Sequence, residues 1–534
     1  MFDLKNNFKM ERCLKYILSV FIILNSGIRI YAQQQLLPLG ELYQNEINFN
    51  INKTNLSVNT GFKPLLKSEV LSIFNIDSAI YHTQNADRFF TKHKRNWLYR
   101  KLFFEDFVYV NTKEFTLSVN PLFYLETGKV SGNDSTNFFI NTRGIEIKGD
   151  IGKKISYYST FRENQARFRD YVYNRTWQRL VVPGQGAIKK NNKDLSLYDF
   201  SSASAYLSYT PFEWLNVRLG QDKNFIGEGH RSLFLSDNAM NYPFINLSFN
   251  YKKFKYVTMF TQFRDFEGAI YLYHFQKHGA FNYLSYNYNN RIEIGLFEGV
   301  IYRTTDTSEY VNKFPADFFI PVIGVRTAIN GFAADNNVLA GIDMKLKISD
   351  YIQLYGQFAV DDPKQQKFAY QGGFKIFDLL FSEIKNLKWY LQAEYNAASP
   401  RTYSHVRLKY QTWSHYNQEL AVPFGADFSE IFLTSDIHYK NLVFNFKYNY
   451  VSLNRNGTFS DIYMLDNNTY LLMPEKKIVS HKILSLSYII NRRTDLQIYA
   501  GADFRISEVG GTKNTEKYIM FGLKTALSNF YYDF

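Results

Sequence analysis

Cysteine is nearly absent from this chain of 534 residues: Cys13 stands alone. One thiol excludes an internal disulfide framework, C-x-x-C redox chemistry and cysteine-based zinc binding. Proline is scarce as well, at 12 residues. No run of about 18 apolar residues occurs, so no helix is expected to cross a membrane. A P-loop, a dinucleotide fingerprint after a strand and H-E-x-x-H are all missing. The nine histidines are scattered, with His405 and His415 the one close pair on a single loop; hydrogen bonding within the loop is favoured over a metal site. Asp335, Asn336 and Asn337 have oxygen ligands suited to calcium, but a turn is favoured there. The acid pairs Glu105–Asp106 and Asp361–Asp362 lack the facing geometry a glycosidase needs, and beside Pro363 a capping or turn role is favoured for the second. No catalytic residue, metal or cofactor is expected, and the chain reads as a non-enzyme.

What the chain has in abundance is aromatic side chains, 42 Tyr and 49 Phe, 18% with Trp. Mean hydropathy is nevertheless slightly negative, at -0.31. Aromatic-rich, polar-on-average sequence suits a transmembrane β-barrel, whose lumen is wet and whose rims are aromatic. The patterning agrees. In WLNVRLGQD, Leu215, Val217 and Leu219 alternate with Asn216, Arg218 and Gly220, giving one apolar and one polar face. Such period-two stretches recur from Phe115 to Leu527.

Nineteen candidate strands are found this way, yet a single-chain bacterial barrel has an even number. Tight turns such as Gly152–Lys153, Pro211–Glu213, Lys252–Lys253, Ser349–Asp350, Lys440–Asn441 and Asn491–Arg493 mark one end. Counting forward makes Leu387–Ala397 an outward strand, while counting back makes Tyr403–Trp413 outward too. Dropping Tyr403–Trp413 restores parity and leaves Ala398–Glu430 as one long outer loop. The expectation is an all-β, antiparallel transmembrane barrel of roughly 18 strands over residues 107–534. Large outer loops are expected at Gln165–Asp199, Lys223–Tyr242, Ile301–Asn337, Ala398–Glu430 and Asn454–Ser480. Phe534 is expected to close the last strand and serve the outer-membrane assembly machinery.

Ahead of the barrel, Lys9, Arg12 and Lys15 precede the apolar run Ile17–Leu24, as in a secretory signal cleaved after Ala32. Residues 33–106 do not read as barrel. DRFFTKHKRNWLYRKLFFEDF, Asp87–Phe107, has helical spacing and predicts a short helix or helical hairpin at the periplasmic mouth. The net charge of +13 reads either as general surface charge or as attraction for an anionic polymer. Nucleic acid is not an expected partner of an exported barrel; outer-membrane lipid is.

The chain is organised around Gly220–Pro243, GQDKNFIGEGHRSLFLSDNAMNYP. The order Gly220, Asp222, Gly227, Ser232, Leu233, Leu235, Ser236, Asn238, Ala239, Pro243 resembles the Wzi family of outer-membrane capsule-assembly proteins. GQDKNFIGEGHRSLFLSD and HYNQELAVPFGADFSE (His415–Glu430) are similar to RemB-like proteins of gliding bacteria, a branch of that superfamily. The resemblance implies a Gram-negative outer-membrane barrel that holds capsular or exopolysaccharide, or supports adhesion and gliding. A solute channel is the alternative. Gly227 and Gly229 are read as letting the loop fold back into the barrel mouth, with Arg231 pinning it to Asp222 and Asp237.

Sugar binding would use aromatic faces beside planar polar groups. Two loops offer these: Arg167, Arg169, Tyr171, Arg175, Trp177 and Arg179 on the first, Arg401, Tyr403, His415 and Asn417 on the second. Taken singly each suits a loop mini-core better; as a set they favour contact with an anionic polysaccharide.

Overall fold

The computed structural model describes residues 34–54, 56–71, 96–130, 137–189, 197–267, 273–303, 315–332, 336–384, 386–405, 411–454 and 476–534. The signal region, residues 87–95 of the expected helix and most of the loop after Asn454 lie outside the described residues.

Eighteen antiparallel strands close into a barrel. They are β1 Phe115–Val130, β2 Asn137–Ile151, β3 Ile155–Arg167, β4 Tyr198–Phe212, β5 Leu215–Asp222, β6 Tyr242–Tyr251, β7 Phe254–Glu267, β8 Tyr273–Asn287 and β9 Ile292–Arg303, followed by β10 Asn337–Lys347, β11 Ile352–Asp362, β12 Lys367–Phe377, β13 Leu387–Ala398, β14 Phe428–Tyr439, β15 Leu442–Leu453, β16 Lys477–Asn491, β17 Leu496–Val509 and β18 Thr512–Thr525. Closure pairs Tyr518–Lys524 of β18 with Tyr124–Val130 of β1. Below that seam, Val108–Asn111 doubles back against Thr116–Val119 of β1. Each retained strand of the sequence reading overlaps one wall strand, and β13 pairs directly with β14, so Tyr403–Trp413 contributes no strand to the wall. The parity argument therefore holds.

Alternation explains the wall. In β17, Gln497, Tyr499, Asp503 and Arg505 are buried toward the lumen, while Ile498, Phe504 and Ile506 are exposed on the outside. A one-residue slip would turn Asp503 and Arg505 toward lipid, so register is strongly specified. At one end the turns are short. Lys252 (φ 54°) and Lys440 (φ 55°) take the left-handed conformation that two-residue hairpins require. Pro211 belongs to β4, so its turn is Glu213–Trp214 rather than Pro211–Glu213. Exposed Tyr251, Phe254, Tyr288, Tyr439 and Tyr488 ring that end, as an interfacial aromatic girdle does.

The lumen is occupied. The N-terminal segment, with α1 at Glu41–Asn52, lies inside the short-turn end rather than beneath it. Asn45 donates to Asp436 of β14 at 2.7 Å, Asn52 donates to Asp350 O at 2.7 Å, and Phe49 packs on Phe377 and Tyr390. Phe62–Lys63 pairs antiparallel with Phe225–Ile226, joining this segment to the central loop. In the described part of Asp87–Phe107 a helix runs Trp97–Phe103. It is tied to the short-turn end by Asn491, which donates to Lys101 O (3.2 Å) and Glu105 O (3.1 Å).

The C-terminus corrects a second expectation. β18 ends at Thr525, and Phe534 does not close it. The tail turns into the lumen instead, where Tyr531, Tyr532, Asp533 and Phe534 are buried. Phe534 packs against Tyr171 (ring centroids 5.7 Å apart) and lies under the Arg175 guanidinium at 4.1 Å. A lumen already furnished with aromatics and cations offers this apolar ring more contact than the last strand's free end does.

Candidate functional site

The loop between β5 and β6 crosses the lumen. Gly227 sits at φ +117°, and a Cβ there would lie 2.1 Å from Gln357 Nε2. At Gly229 a Cβ would lie 2.5 Å from both Arg231 O and Glu394 Oε2. Both glycines thus permit close approach to the far wall. Leu233 N donates to Gln357 Oε1 of β11 at 2.8 Å, and Glu394 of β13 accepts from His230 N (2.8 Å) and Arg231 N (3.2 Å). Ser232 Oγ donates to Ile226 O and accepts from Leu235 N, Ser236 Oγ accepts from Asn238 N, and Asn238 Nδ2 donates to Glu419 O. Gly220 sits in β5, where a Cβ would meet Ala205 O at 2.4 Å.

Arg231 pins this loop, but not through the expected partners. It is bound to Glu430 of β14 (3.0 Å) and to Asp533 of the tail (3.2 Å). Asp237 instead accepts from Tyr531 Oη at 2.6 Å and Asn529 at 3.0 Å. Asp222 lines a cavity of about 80 Å³ with Arg162, Lys223 and Asp237. The reason is reach: once the loop spans the lumen, Arg231 stands beside the opposite wall. Burial opposes the charge on Arg231, and Asp533 and Glu430 overcome it, raising its pKa above the ordinary guanidinium value. Lower in the loop, Glu228 faces Lys375 (3.2 Å), Lys63 (3.6 Å) and Lys345 (4.0 Å) and accepts from Thr60 Oγ1. Burial would push its carboxyl up, but Lys63, Lys375 and Lys345 hold it well below the usual range.

The loop after β13 caps these layers. A hairpin of Ser414–His415 with Gln418–Glu419 dips inward. Trp413 Nε1 donates to Phe234 O at 2.7 Å, and Tyr403 Oη donates to Leu233 O at 3.0 Å. His415 Nδ1 accepts from Arg264 N at 3.0 Å while Nε2 faces Asn241 O at 3.2 Å. That pair of partners suits the neutral ring with hydrogen on Nε2, and burial pushes its pKa down to about 4. Asn417 accepts from Phe266 N (2.9 Å) and donates to Arg179 O (3.3 Å). Asp362 Oδ1 accepts from Lys364 N at 2.9 Å, the turn role read from its proline neighbour.

The other predicted loop folds as α2, Asp170–Arg179, with Asp170 in its first turn and Arg179 in its last, as the helix dipole favours. Its inner face is Tyr171, Val172, Thr176 and Arg179. Arg169 pairs with Asp503 (2.7 Å) and Glu126 (2.9 Å), and Tyr171 Oη donates to Asp503 at 3.2 Å. Arg179 grips both oxygens of Glu419, at 2.5 and 2.6 Å, and Arg175 reaches the same carboxylate at 3.5 Å. So Arg169, Tyr171, Arg179, Tyr403, His415 and Asn417, grouped by sequence as ligand contacts, have their polar atoms engaged inside the protein. The physical reason is that long loops over a wide lumen fold inward to bury their aromatics. Arg167 is half-buried at the end of β3, Arg401 is exposed at φ +61° on the other loop, and Trp177 is 50% exposed. Asp170, Asn174 and Gln178, which the sequence reading did not single out, are exposed on the same face of α2 as Trp177. Their positions three, four and seven residues apart become one face only when the stretch is a helix. An indole flanked by two amides and a carboxylate has the donor, acceptor and apolar surface that sugar rings need.

No family model matches the chain, and no curated protein does. Among solved structures the fold is similar to Wzi of Escherichia coli, an outer-membrane protein involved in group 1 capsule assembly and a carbohydrate-binding β-barrel. The TM-score is 0.58 at 12% identity, over 93% of this chain and 100% of that one. OccAB2 of Acinetobacter baumannii (TM-score 0.41, 11% identity, 76% of this chain and 97% of that one) and OccK7 of Pseudomonas aeruginosa (TM-score 0.40, 10% identity, 77% and 98%) are more distant. At these identities the likeness is one of fold: an 18-strand barrel of the outer-membrane kind.

Proposed function

We propose that this protein is an outer-membrane barrel of a Gram-negative bacterium that holds an anionic polysaccharide at the cell surface. Its short turns would face the periplasm and its long loops the exterior. The observation that carries the reading is the occupied lumen. The N-terminal segment, the β5–β6 loop, the β13–β14 loop and the tail are tied to one another and to opposite walls by buried hydrogen bonds and ion pairs. A diffusion channel needs an unobstructed path, whereas a holdfast needs a rigid platform. The outward face of α2, with Trp177, Asn174, Gln178 and Asp170, supplies that platform's contact surface, and Arg167 and Arg401 add positive charge on the same long-loop side. The carbohydrate binding named for Wzi supports the same reading on a similar fold. Chemistry on the polymer is not proposed; the role is attachment. In the RemB-like branch suggested by the sequence motifs, the same surface would grip a substratum during adhesion and gliding.

The test is a pair of measurements on protein reconstituted in planar bilayers and in vesicles. The bilayers should show no stepwise open-channel conductance, and the vesicles should retain acidic polysaccharide on the long-loop side. Sustained porin-like conductance without polymer retention would replace this reading with the channel.

A further inference from the structure

The segment after β9 is built inside out. Ala316–Phe319 forms a 3-10 turn and Val325–Asn330 a short helix. The charged residues of 315–330 are Asp317 and Arg326, and both point toward the barrel. Arg326 is fully buried (0% exposed); its Nη2 donates to Phe318 O at 3.0 Å and its guanidinium lies 5.6 Å from the Phe260 ring centre. Asp317 accepts from Tyr302 Oη at 2.8 Å and Asn330 Nδ2 at 2.7 Å. Glu298 Oε1 accepts from both Thr327 N (2.7 Å) and Thr327 Oγ1 (2.8 Å), and its Oε2 accepts from Asn282 at 3.1 Å. The opposite surface is apolar: Phe319 is 58%, Val322 52% and Ile329 59% exposed.

The wall this segment covers is the outer one. Glu298, Val300 and Tyr302 alternate along β9 with Phe297 and Ile301, which belong to the lumen core. Leu296 and Ile342, on the same side of the wall as Glu298, are exposed to the outside. Nor does the segment stop at the rim. Tyr256 Oη donates to Pro321 O at 2.9 Å, and Tyr256 is the third residue of β7, just past the Lys252–Lys253 short turn. The segment therefore descends the outer wall toward the short-turn end.

In water a surface segment hides its apolar side chains and shows its polar ones. Here the order is reversed, and hydrocarbon is the solvent that favours this, since an unpaired polar group costs most there. We infer that residues 315–330 form a membrane-embedded flap, its exposed ridge covered by lipid acyl chains continuous with those on Leu296, Ile342 and Met344. This corrects the sequence expectation that Ile301–Asn337 is wholly an extracellular loop. It also gives a reason for a carboxylate on a lipid-facing strand: Glu298 is the flap's docking point, shielded by Thr327.

The test uses full-length protein in a Cys13→Ser background, reconstituted in phospholipid vesicles, with a nitroxide on Phe319→Cys, Val322→Cys or Ile329→Cys. Leu296→Cys reports the lipid-facing wall and Lys364→Cys the β11–β12 turn in water. The three flap positions should match Leu296→Cys, with frequent collisions with oxygen and few with a water-soluble nickel chelate. Nickel accessibility like that of Lys364→Cys overturns the proposal, and so does protection from both probes, which would mean a protein partner covers the ridge. A label-free check is Val322→Trp, whose extra fluorescence should be quenched severalfold more by vesicles of bromine-substituted acyl chains than by aqueous acrylamide. The reverse order overturns the proposal independently.

Discussion

Arg231 and Asp533 are 302 positions apart in the chain and meet at 3.2 Å inside the lumen. Around them, Glu430 of the wall, His230 of the crossing loop and the Phe424, Phe432 and Tyr531 rings close the site. This cluster fastens loop, wall and tail in one place. Arg231→Met should leave Glu430 and Asp533 buried without their cation and lower stability by about 3–5 kcal/mol. Asp533→Asn should cost less, because Arg231 keeps Glu430. The urea midpoint for unfolding from vesicles measures both, and equal midpoints for Arg231→Met and the parent would remove the cluster from the stability argument.

Gly227→Ala should be costly for two reasons: a φ of +117° that L residues avoid, and a Cβ that would meet the Gln357 amide. The expected loss is about 1–3 kcal/mol for the backbone conformation alone, with more from the contact. Gly152→Ala is the comparison. Its φ is +58° with nothing within 4 Å of the added Cβ, so it should lose no more than about 1 kcal/mol. The yield of heat-modifiable, folded barrel should fall for Gly227→Ala and barely change for Gly152→Ala. Similar yields would mean the crossing loop adjusts its path without cost.

The wall was legible because period two is written in every strand; even the false strand Tyr403–Trp413 could be rejected by counting ends. Arg231's anchoring role was legible too, from its place in the crossing loop just after the paired glycines. Its partners were not, because Glu430 and Asp533 come from segments whose position depends on how far the loop reaches. The same blindness assigned Arg169 and Arg179 to a ligand. A basic, aromatic loop has one composition whether its arginines face outward or grip Asp503 and Glu419. Phe534 misled in the opposite way, since a terminal aromatic carries no sign of which side of the wall it will take. Helix α1 escaped notice because ELYQNEINFNIN has polar residues all round, which suits a polar lumen on every side.

Acid should loosen the lumen in two stages. His415 is held neutral, its pKa down to about 4 against an ordinary 6.5. The unfolded ring therefore binds its proton first as pH falls. Stability from this site is complete above pH 6.5 and is lost progressively toward pH 4; 2.5 units correspond to roughly 3 kcal/mol. Glu228 has a depressed carboxyl, so its contribution is present above the ordinary 4.5 and declines as pH falls below it. Hydrogen exchange should show residues 411–427 losing protection between pH 6.5 and 4, before the Glu228 layer. His415→Gln should flatten the first stage alone, and an unchanged first stage in that variant would assign it to another group.

Polymer contact and loop integrity can be separated on α2 itself. Trp177 lies on the outward face, so Trp177→Ala should keep the folded barrel while weakening retention of acidic polysaccharide at least about tenfold, as loss of a central aromatic anchor does. Arg169→Ala and Arg179→Ala should behave differently. Each strands buried carboxylates, Asp503 and Glu126 in one case and Glu419 in the other, so the loops should become protease-sensitive and any loss of polymer should track that damage. Salt supplies a third handle. Exposed charges are screened over about 10 Å at 0.1 M, so retention that depends on Arg167 and Arg401 should fall with salt in the parent and fall less in the Arg167→Gln, Arg401→Gln double variant. If Trp177→Ala retains polymer as the parent does, with the same salt response, the outward face of α2 is not the contact surface.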